Sequence, residues 1–326
     1  TQIVAGTNHT CALLSTGKVR CWGTGANGLL GYGKTNNLSS PGDDLSVGGE
    51  VTQIAVGGDH TCAVLSTRKG RCWGSGANGQ LGYGNPNNIG DNEFPADAGD
   101  VSVGGDAVQI AAGAGGHTCV LLSTGKVRCW GRNDMGQLGY GNKDNLSSPG
   151  GDVNTGGDVI RIAAGSFHTC AVLSTGKVRC WGYGEFGQLG YGNTNTIGDD
   201  AGEYPSGAGD VSVGGDVKQI AAGWGHTCAL LSTGKVRCWG HGIWWGLGYG
   251  NMNSIGDDEF PADAGDVSVG GDVIEIAAGN SHTCAVLSTG KVRCWGNGDN
   301  GKLGYGNTNT IGDDEFPWTA GDVPIQ

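Results

Sequence analysis

One unit repeated six times is the feature that most restricts how this chain of 326 residues can fold. Each copy contains the motif His-Thr-Cys, and its histidine stands at positions 9, 60, 117, 168, 226 and 282. Repeats of this kind bury their apolar faces only against neighbouring copies. We therefore expect one domain, residues 1–326, built from six units that start near residues 1, 52, 108, 160, 218 and 274.

Each unit is predicted to be a small antiparallel sheet. In the first copy "QIVAG" is a short apolar strand, and "HTCALLS" and "KVRCWG" form a hairpin around the turn "STG". A fourth strand is expected in the segment that reads "GDVSV" in three copies, or in part of "QLGYG". Four short strands repeated radially form the blades of a β-propeller. The expected fold is thus all-β, a single propeller of six four-stranded blades.

The two ends of the chain are expected to meet. The chain begins on "TQIVAG" and ends on "GDVPIQ", the two halves of a junction that is continuous elsewhere, as in "GDVSVGGDVKQIAAG". Pairing of the N- and C-terminal segments would then close the ring, which needs no capping repeats, unlike an open solenoid.

The hairpin turn differs in one copy. Five copies place glycine at the position of Gly17, where a positive φ is needed, but the second copy reads "STRKGRC" and has Arg68 there. Either the pairing slips so that Gly70 supplies the turn, or Arg68 takes the left-handed conformation. In the first copy, whose turn has glycine, Cys11 is expected to lie opposite Cys21.

Two cysteines occur in every unit, separated by nine residues. Opposite Cα atoms of a non-hydrogen-bonded antiparallel pair lie about 4.5 Å apart, which suits a disulfide. Six such bonds would place the protein outside the cell, in a periplasm or at a cell surface. Reduced thiols and a metal site of His9, Cys11 and Cys21 are the alternatives. The predicted disulfides are Cys11–Cys21, Cys62–Cys72, Cys119–Cys129, Cys170–Cys180, Cys228–Cys238 and Cys284–Cys294.

The recurring motifs "AAG..HT.AL", "V..WG" and "G.LG.G" resemble the repeats of the regulator of chromosome condensation family. The resemblance covers essentially the whole chain. It implies a propeller scaffold, a structural hydrogen-bonding role for the repeated histidine, and use as a protein-binding platform. Guanine-nucleotide exchange, the founding activity of the family, is not expected of an acidic chain with paired cysteines.

Charge and motifs exclude several classes of function. The net charge of −12 argues against nucleic acid as the main partner. No apolar run approaches the ~20 residues that would insert into a membrane. The chain has no nucleophile elbow, phosphate loop, HExxH motif or dinucleotide fingerprint, so we expect no enzyme and no cofactor. His241 with Glu185 or Asp134 is the one conceivable catalytic group.

Comparison of the copies places the variable positions at one face of the propeller. The residues before each histidine and those after "CWG" vary, whereas the turns at the opposite ends of the strands are nearly uniform. Variable loops on a rigid scaffold often carry binding function. Blades 4 and 5 carry the large side chains, and the predicted binding site consists of Phe167, Tyr183, Glu185, Phe186, Trp224, His241, Ile243, Trp244 and Trp245.

The expected partner of this face is a protein or a glycan, since Trp and Tyr anchor interfaces and sugar rings stack on the same side chains. Alternatively, Trp244 and Trp245 fold inward beside Gly246 or plug the channel. A third interpretation is a homo-oligomer contact, which would make the chain a structural subunit of a cell-surface assembly or filament.

Acidic inserts follow the "GYGN" segments. They read "IGDNEF" at 89–94, "IGDDAGEY" at 197–204 and "IGDDEF" at 255–260 and 311–316. Calcium takes such oxygen ligands, but the EF-hand spacing is absent, which favours solvated acidic loops over calcium sites.

Overall fold

A computed structural model of the chain describes residues 2–325, apart from the side chains of Trp244 and Trp245. In this part of the chain, each repeat forms one three-stranded antiparallel sheet, and we call these sheets blades 1 to 6. Within a blade the strands lie side by side in chain order. The strands are β1 Gln2–Ala5, β2 His9–Leu13, β3 Val19–Gly23, β4 Val51–Val56, β5 His60–Leu65, β6 Gly70–Gly74, β7 Ala107–Ala112, β8 His117–Leu122, β9 Val127–Gly131, β10 Val159–Ala164, β11 His168–Leu173, β12 Val178–Gly182, β13 Val217–Ala222, β14 His226–Leu231, β15 Val236–Gly240, β16 Val273–Ala278, β17 His282–Leu287 and β18 Val292–Gly296.

The predicted hairpin is confirmed, and its register does not slip in blade 2. Cys62 lies opposite Cys72, as Cys11 lies opposite Cys21. Arg68 takes the glycine position of the turn with a φ of 61°. The left-handed conformation is costly for a residue with a Cβ atom, so blade 2 keeps its pairing at the expense of local backbone strain.

The fourth strand of each blade is not confirmed. The segment that follows the insert meets the third strand at a single residue, as where Val101 N donates to Gly70 O at 2.9 Å. Two residues later Val103 N bonds back to Val101 O, also at 2.9 Å, and this tight turn bends the chain away. The edge of the third strand is satisfied instead by a tyrosine of "LGYG". The Tyr32 hydroxyl, for example, accepts from Cys21 N at 3.0 Å.

The apolar core lies between neighbouring blades. The first strands of successive blades lie beside one another from β1 to β16, and each buried cluster draws on at least two adjacent blades. We call the contact between two successive blades a junction, and the tryptophan of "CWG" fills the space at each of the five junctions from blade 1 to blade 6. Gly82 approaches Trp130 so closely that an added Cβ would lie 2.7 Å from the indole nitrogen. The fully buried tryptophans are Trp73, Trp130, Trp181, Trp239 and Trp295.

The inserts of blades 2 to 6 tie each of these blades to the one before it. In blade 2, Ala96 N donates to Ser46 O of blade 1, and Arg71 of β6 donates to Val47 O of blade 1 at 2.7 Å and to Ala96 O at 3.0 Å. The insert therefore crosses the outer rim of the propeller and joins two neighbouring blades. Short helices lie in the inserts and loops: α1 Pro95–Ala98, α2 Pro205–Ala208, α3 Gly242–Trp245 and α4 Pro261–Ala264, with 3₁₀ turns at Ala26–Gly28, Asp299–Gly301 and Pro317–Ala320.

Closure by pairing of the terminal segments is not confirmed. Strand β1 pairs with β2, and Val323 N donates to Val292 O within blade 6. Among residues 2–325, no strand pairing joins the C-terminal segment to β1. None of the helices described is long and apolar enough to cross a bilayer.

Candidate functional site

The two variable loops of each blade emerge at the same end of the sheet. In blade 4, Tyr183 N donates to Phe167 O at 2.9 Å, and in blade 5, His241 N donates to Gly225 O at 2.9 Å. The first residue of each pair follows the third strand, and the second precedes the second strand. This backbone bond repeats in all six blades, so the loops form one face, which we call the variable face.

Five aromatic side chains of blades 4 and 5 pack into one cluster on the variable face, which we call the aromatic cluster. Phe186 lies at its centre, and its ring centroid is 5.5 Å from that of Tyr183, 5.8 Å from Trp224 and 4.8 Å from His241. Phe167 meets Trp224 edge to face at 6.1 Å. Such pairs add to the burial of aromatic area, so the cluster is a preformed surface that spans two blades.

Blade 3 extends the cluster through a residue outside the predicted set. The guanidinium carbon of Arg132 lies 5.2 Å from the Phe167 ring centroid, within the range of a cation–π contact. Asp134 holds the same guanidinium in an ion pair of 2.5 Å. The sequence signal for Arg132 was its place in the variable loop after "CWG" of blade 3.

A cavity of about 530 Å³ opens beside the cluster, between blades 5 and 6. Its aromatic wall comes from the cluster, and its polar wall comes from blade 6, where Lys302 Nζ donates to Ser281 Oγ at 3.2 Å. Because the blade 6 side chains are polar, comparison of residue size did not select them. The sequence feature that could have indicated this polar wall is Lys302, which replaces the glutamine of "GQLGYG". The lining residues are Phe186, Trp224, His241, Ser281, Asn297, Asp299 and Lys302.

The cluster is electrically neutral near pH 7. Burial raises the pKa of Tyr183 to about 12, and its hydrogen bond of 2.5 Å to Glu185 acts in the same direction. Burial lowers the pKa of His241, partly opposed by the charge of Asp257. Neutral rings surrounded by exposed charges are the pattern of a binding surface with an apolar centre and a polar rim.

The repeat pattern and the propeller-like fold agree with comparisons to known proteins. The model of the RCC1-like domain matches residues 1–320. The chain belongs to the RCC1-like domain family.

Two curated relatives and one solved structure show how far the likeness extends. The ultraviolet-B receptor UVR8 of Arabidopsis thaliana is 31% identical over 313 residues, which cover 94% of this chain and 67% of the receptor. The mouse E3 ubiquitin-protein ligase HERC2 is 32% identical over 319 residues, but these cover 95% of this chain and only 6% of the ligase. Yeast RCC1, in its complex with Kap60, superposes with a TM-score of 0.77 and 22% identity over 97% of this chain and 74% of its own.

The RCC1-like scaffold brings most of the predicted site residues together. Phe167, Tyr183, Phe186, Trp224 and His241 form the cluster, and Glu185 is exposed at its rim. Ile243 of α3 is 63% exposed. The side chains of Trp244 and Trp245 lie outside the described part of the structure, so their predicted role, as a binding surface or as a plug, stays a prediction.

All twelve cysteines form the six predicted disulfides, with Cα atoms 4.0 or 4.1 Å apart. The alternatives of reduced thiols and of a His–Cys–Cys metal site are therefore wrong. The repeated histidine instead shares a hydrogen bond with the threonine of the next blade, as His117 Nε2 does with Thr169 Oγ1 at 3.0 Å. Burial lowers the pKa of His117 to about 3, so the imidazole is neutral in the folded protein.

The acidic inserts of blades 5 and 6 gather carboxylates. One oxygen each from Asp257, Asp258 and Glu259 lie within 4.8 Å of one another, and residues 313–315 repeat the arrangement. Burial and the neighbouring Asp258 raise the pKa of Glu259 to about 7. The prediction of solvated acidic loops, with calcium sites as the alternative, stays a prediction.

Proposed function

We propose that this RCC1-like chain is a non-enzymatic module that binds a protein partner through the aromatic cluster and the adjoining cavity, in an oxidising compartment. The observation that carries the proposal is the cluster itself: five ring side chains packed together on loops of two adjacent blades.

The scaffold does not need these rings. Blade 2 has Asp59 and Ser75 at the positions of Phe167 and Tyr183, and it keeps the same backbone bond, Ser75 N to Asp59 O, at 2.8 Å. Blade 6 does the same with small polar residues. Side chains that the fold does not require, gathered as an apolar patch on exposed loops, are typical of interaction sites.

A protein partner fits the surface better than a glycan. The apolar centre is ringed by charges of both signs, including Glu185, Asp299 and Lys302, as in protein–protein interfaces with a dry centre and a polar rim. Yeast RCC1, which shares the fold, has been crystallised bound to the protein Kap60. The proposed partner contributes large apolar side chains to the cavity and hydrogen-bonding groups to its blade 6 wall.

The six disulfides support the oxidising setting. Thiols in a reducing cytosol are kept from forming structural disulfides of this number. We propose that the protein works outside the cell, in a periplasm or at a cell surface.

The test is affinity capture with matched variants. The wild-type chain, Trp224→Ala and Phe186→Ala serve as baits against a secreted protein fraction, and the captured partner is then titrated in purified form. We expect each substitution to weaken binding at least roughly tenfold, as for interface anchors. The control is Ile274→Asp, which changes an exposed isoleucine of β16 outside the cluster.

Two outcomes would reject the proposal. Equal affinity for wild-type and Trp224→Ala, with lower stability of the variant, would make the cluster a packing feature of the loops. Binding to a glycan array through the same residues, without a captured protein, would replace the protein partner by a carbohydrate.

A further inference from the structure

A glutamine in the first strand of a blade bonds the backbone of the next blade at four of the five junctions. Gln2 Nε2 donates to Ile54 O at 3.0 Å, and Ile54 N donates to Gln2 Oε1 at 3.0 Å. One side-chain amide thus satisfies both backbone groups of the isoleucine. We call this pair of bonds the amide clip. It recurs from Gln53 to Ile110, from Gln109 to Ile162 and from Gln219 to Ile276, with distances between 2.8 and 3.3 Å.

The junction between blades 4 and 5 has no amide clip. Arg161 stands at the position of the glutamine, and no described side chain bonds the backbone N or O of Ile220. Ile220 lies opposite Ala229, as Ile54 lies opposite Ala63, so its N and O face the same way as those that the clip satisfies. Ile220 is also 6% exposed, whereas the four isoleucines held by a clip are 1 to 3% exposed.

Arginine does not replace the glutamine chemically. A guanidinium donates hydrogen bonds but has no acceptor, so Arg161 cannot satisfy Ile220 N. Its Nη1 donates to Ile160 O, one residue back on the same strand, at 2.8 Å. Within the described residues the guanidinium makes no other hydrogen bond. This junction therefore presents two kinds of donor, a backbone amide and a guanidinium, to the same acceptor.

The positive charge of Arg161 is not balanced either. Seven of the nine arginines form an ion pair with an aspartate, but Arg161 has no such partner in the described chain. Lys218, two residues before Ile220 in the neighbouring strand β13, is exposed. These two residues are the only cations in the six first strands, and the only anion there is Glu275, two blades from Arg161. Positive charge beside a backbone N–H favours an anionic ligand.

The first strands of all six blades line a central cavity of about 640 Å³. Its wall includes Gln109, the counterpart of Arg161 in blade 3, Ile162, the next residue of β10, and Ala222 of β13. Most of the other lining residues are alanine, glycine or valine, whose short side chains leave room beside the strands. A small ligand in this cavity therefore meets the first strands of blades 4 and 5.

We propose that Arg161 and the backbone N–H of Ile220 form a binding site for a carboxylate group. One carboxylate oxygen accepts from Ile220 N, as the glutamine oxygen does in each amide clip, and the other accepts from the guanidinium of Arg161. Lys218 adds a second positive charge. The carboxylate belongs to a free small acid or to the end of a peptide, since both present the same group. The site lies on the first strands and not on the variable loops, so it does not depend on the aromatic cluster.

The test compares two probes of similar shape. N-acetylglycine carries a carboxylate, and N-acetylglycinamide is its neutral amide. In the full chain labelled with ¹⁵N-isoleucine, N-acetylglycine should shift the amide signal of Ile220 in a saturable manner, with a dissociation constant in the millimolar range. The neutral amide should leave the signal in place, and sodium chloride at equal ionic strength controls for screening. Titration with succinate distinguishes the sources, because tighter binding of succinate indicates a free acid and tighter binding of N-acetylglycine indicates a peptide end.

Arg161→Gln is the matched variant, because it rebuilds the amide clip at this junction. It should raise the thermal midpoint by roughly 2 °C, protect the Ile220 amide from hydrogen exchange and abolish the response to N-acetylglycine. Gln109→Arg is the reverse exchange, which removes the clip to Ile162. It should give the Ile162 amide a weaker response of the same kind, since Ile160 stands there in place of Lys218.

Three results would overturn the proposal. Equal responses of the wild-type chain and Arg161→Gln would place the effect away from this junction. Equal shifts with N-acetylglycine and its amide would show that the carboxylate is not what Ile220 recognises. An Ile220 signal that neither N-acetylglycine nor succinate moves at millimolar concentration would show that these donors bind no carboxylate.

Discussion

At the scale of single residues, Arg68 carries a strain that the other turns avoid. Its φ of 61° lies in the left-handed region, where five sister turns use glycine. We expect Arg68→Gly to stabilise the protein by about 0.5–1 kcal/mol, since relief of the Cβ clash outweighs the greater freedom of glycine in the unfolded chain. Urea unfolding measures the change.

The reverse substitution is the matched control for Arg68. An added Cβ at Gly290 would meet nothing within 4 Å, and its φ is 79°, so Gly290→Arg tests backbone strain alone. It should destabilise by a similar amount. A loss of stability in Arg68→Gly would mean that the arginine side chain contributes more than its backbone costs.

The histidine–threonine bond should be valuable only where both partners are present. Thr169 Oγ1 bonds His117 Nε2 at 3.0 Å and donates to Gln137 O at 2.9 Å. Thr169→Val leaves these buried groups unpaired and should cost about 1–3 kcal/mol. Thr10 of blade 1 is partly exposed and has no histidine partner of this kind in the described structure, so Thr10→Val should cost less than about 0.5 kcal/mol. Equal losses in denaturant unfolding would contradict the described difference between the junctions.

At the scale of elements, the hairpin was predictable and the outer edge of the blade was not. The turn, the alternation of apolar residues and the two cysteines together fix the pairing of the second and third strands. The segment "GDVSV" also has the composition of a strand. Its pairing ends at Val101 because a tight turn follows and because a tyrosine hydroxyl already satisfies the strand edge. Neither contact leaves a periodic pattern in the sequence.

The disulfides should stabilise each hairpin measurably. Cys119 and Cys129 are 10 residues apart and fully buried. In the chain-entropy model a loop of this length contributes about 3 kcal/mol. We expect Cys119→Ala with Cys129→Ala to lower the free energy of unfolding by about that amount, measured in guanidinium. An unchanged unfolding midpoint would show that β8 and β9 hold their register without the bond.

The candidate site was predictable where residue size marked it. Comparison of the six copies selected Phe167, Phe186 and Trp224, and the structure brings them together. The same comparison passed over Asp299 and Lys302, because their blade 6 loop resembles the loops of blades 1 and 2 in polarity. Which neighbouring loop faces a cavity depends on the angle between blades, and a list of residues does not contain that angle.

At the scale of the whole molecule, closure was the least predictable property. The terminal segments match a junction that is continuous elsewhere, and that likeness predicted a closed ring. Continuity of sequence, however, specifies which surfaces fit together and not how many fit around one axis. A small difference in the angle between neighbouring blades adds up over five such contacts, so a likeness of local sequence does not determine how the last blade lies relative to the first.

Acid sensitivity is the property in which the five histidine–threonine bonds between successive blades act together. Burial lowers the pKa of His60, His117 and His226 to about 3, and that of His9 and His168 to about 4. In the unfolded chain an imidazole titrates near 6.5. Above about pH 6.5 both states are neutral at these positions, and the histidines contribute their full stability.

We therefore expect stability to fall as the pH falls from about 6.5 toward 4. In this pH range the imidazoles bind protons in the unfolded chain but not when they are buried in the folded protein, so acid favours unfolding. With up to five histidines acting, the loss by pH 4.5 should amount to several kcal/mol, measured as urea midpoints at pH 7.5, 6.5, 5.5 and 4.5. Proton NMR of the imidazoles gives an independent check, since the junction histidines should not titrate above pH 5. Flat stability across this range, or junction imidazoles that titrate near 6.5, would mean that water reaches the junctions and that the blades are not sealed against one another.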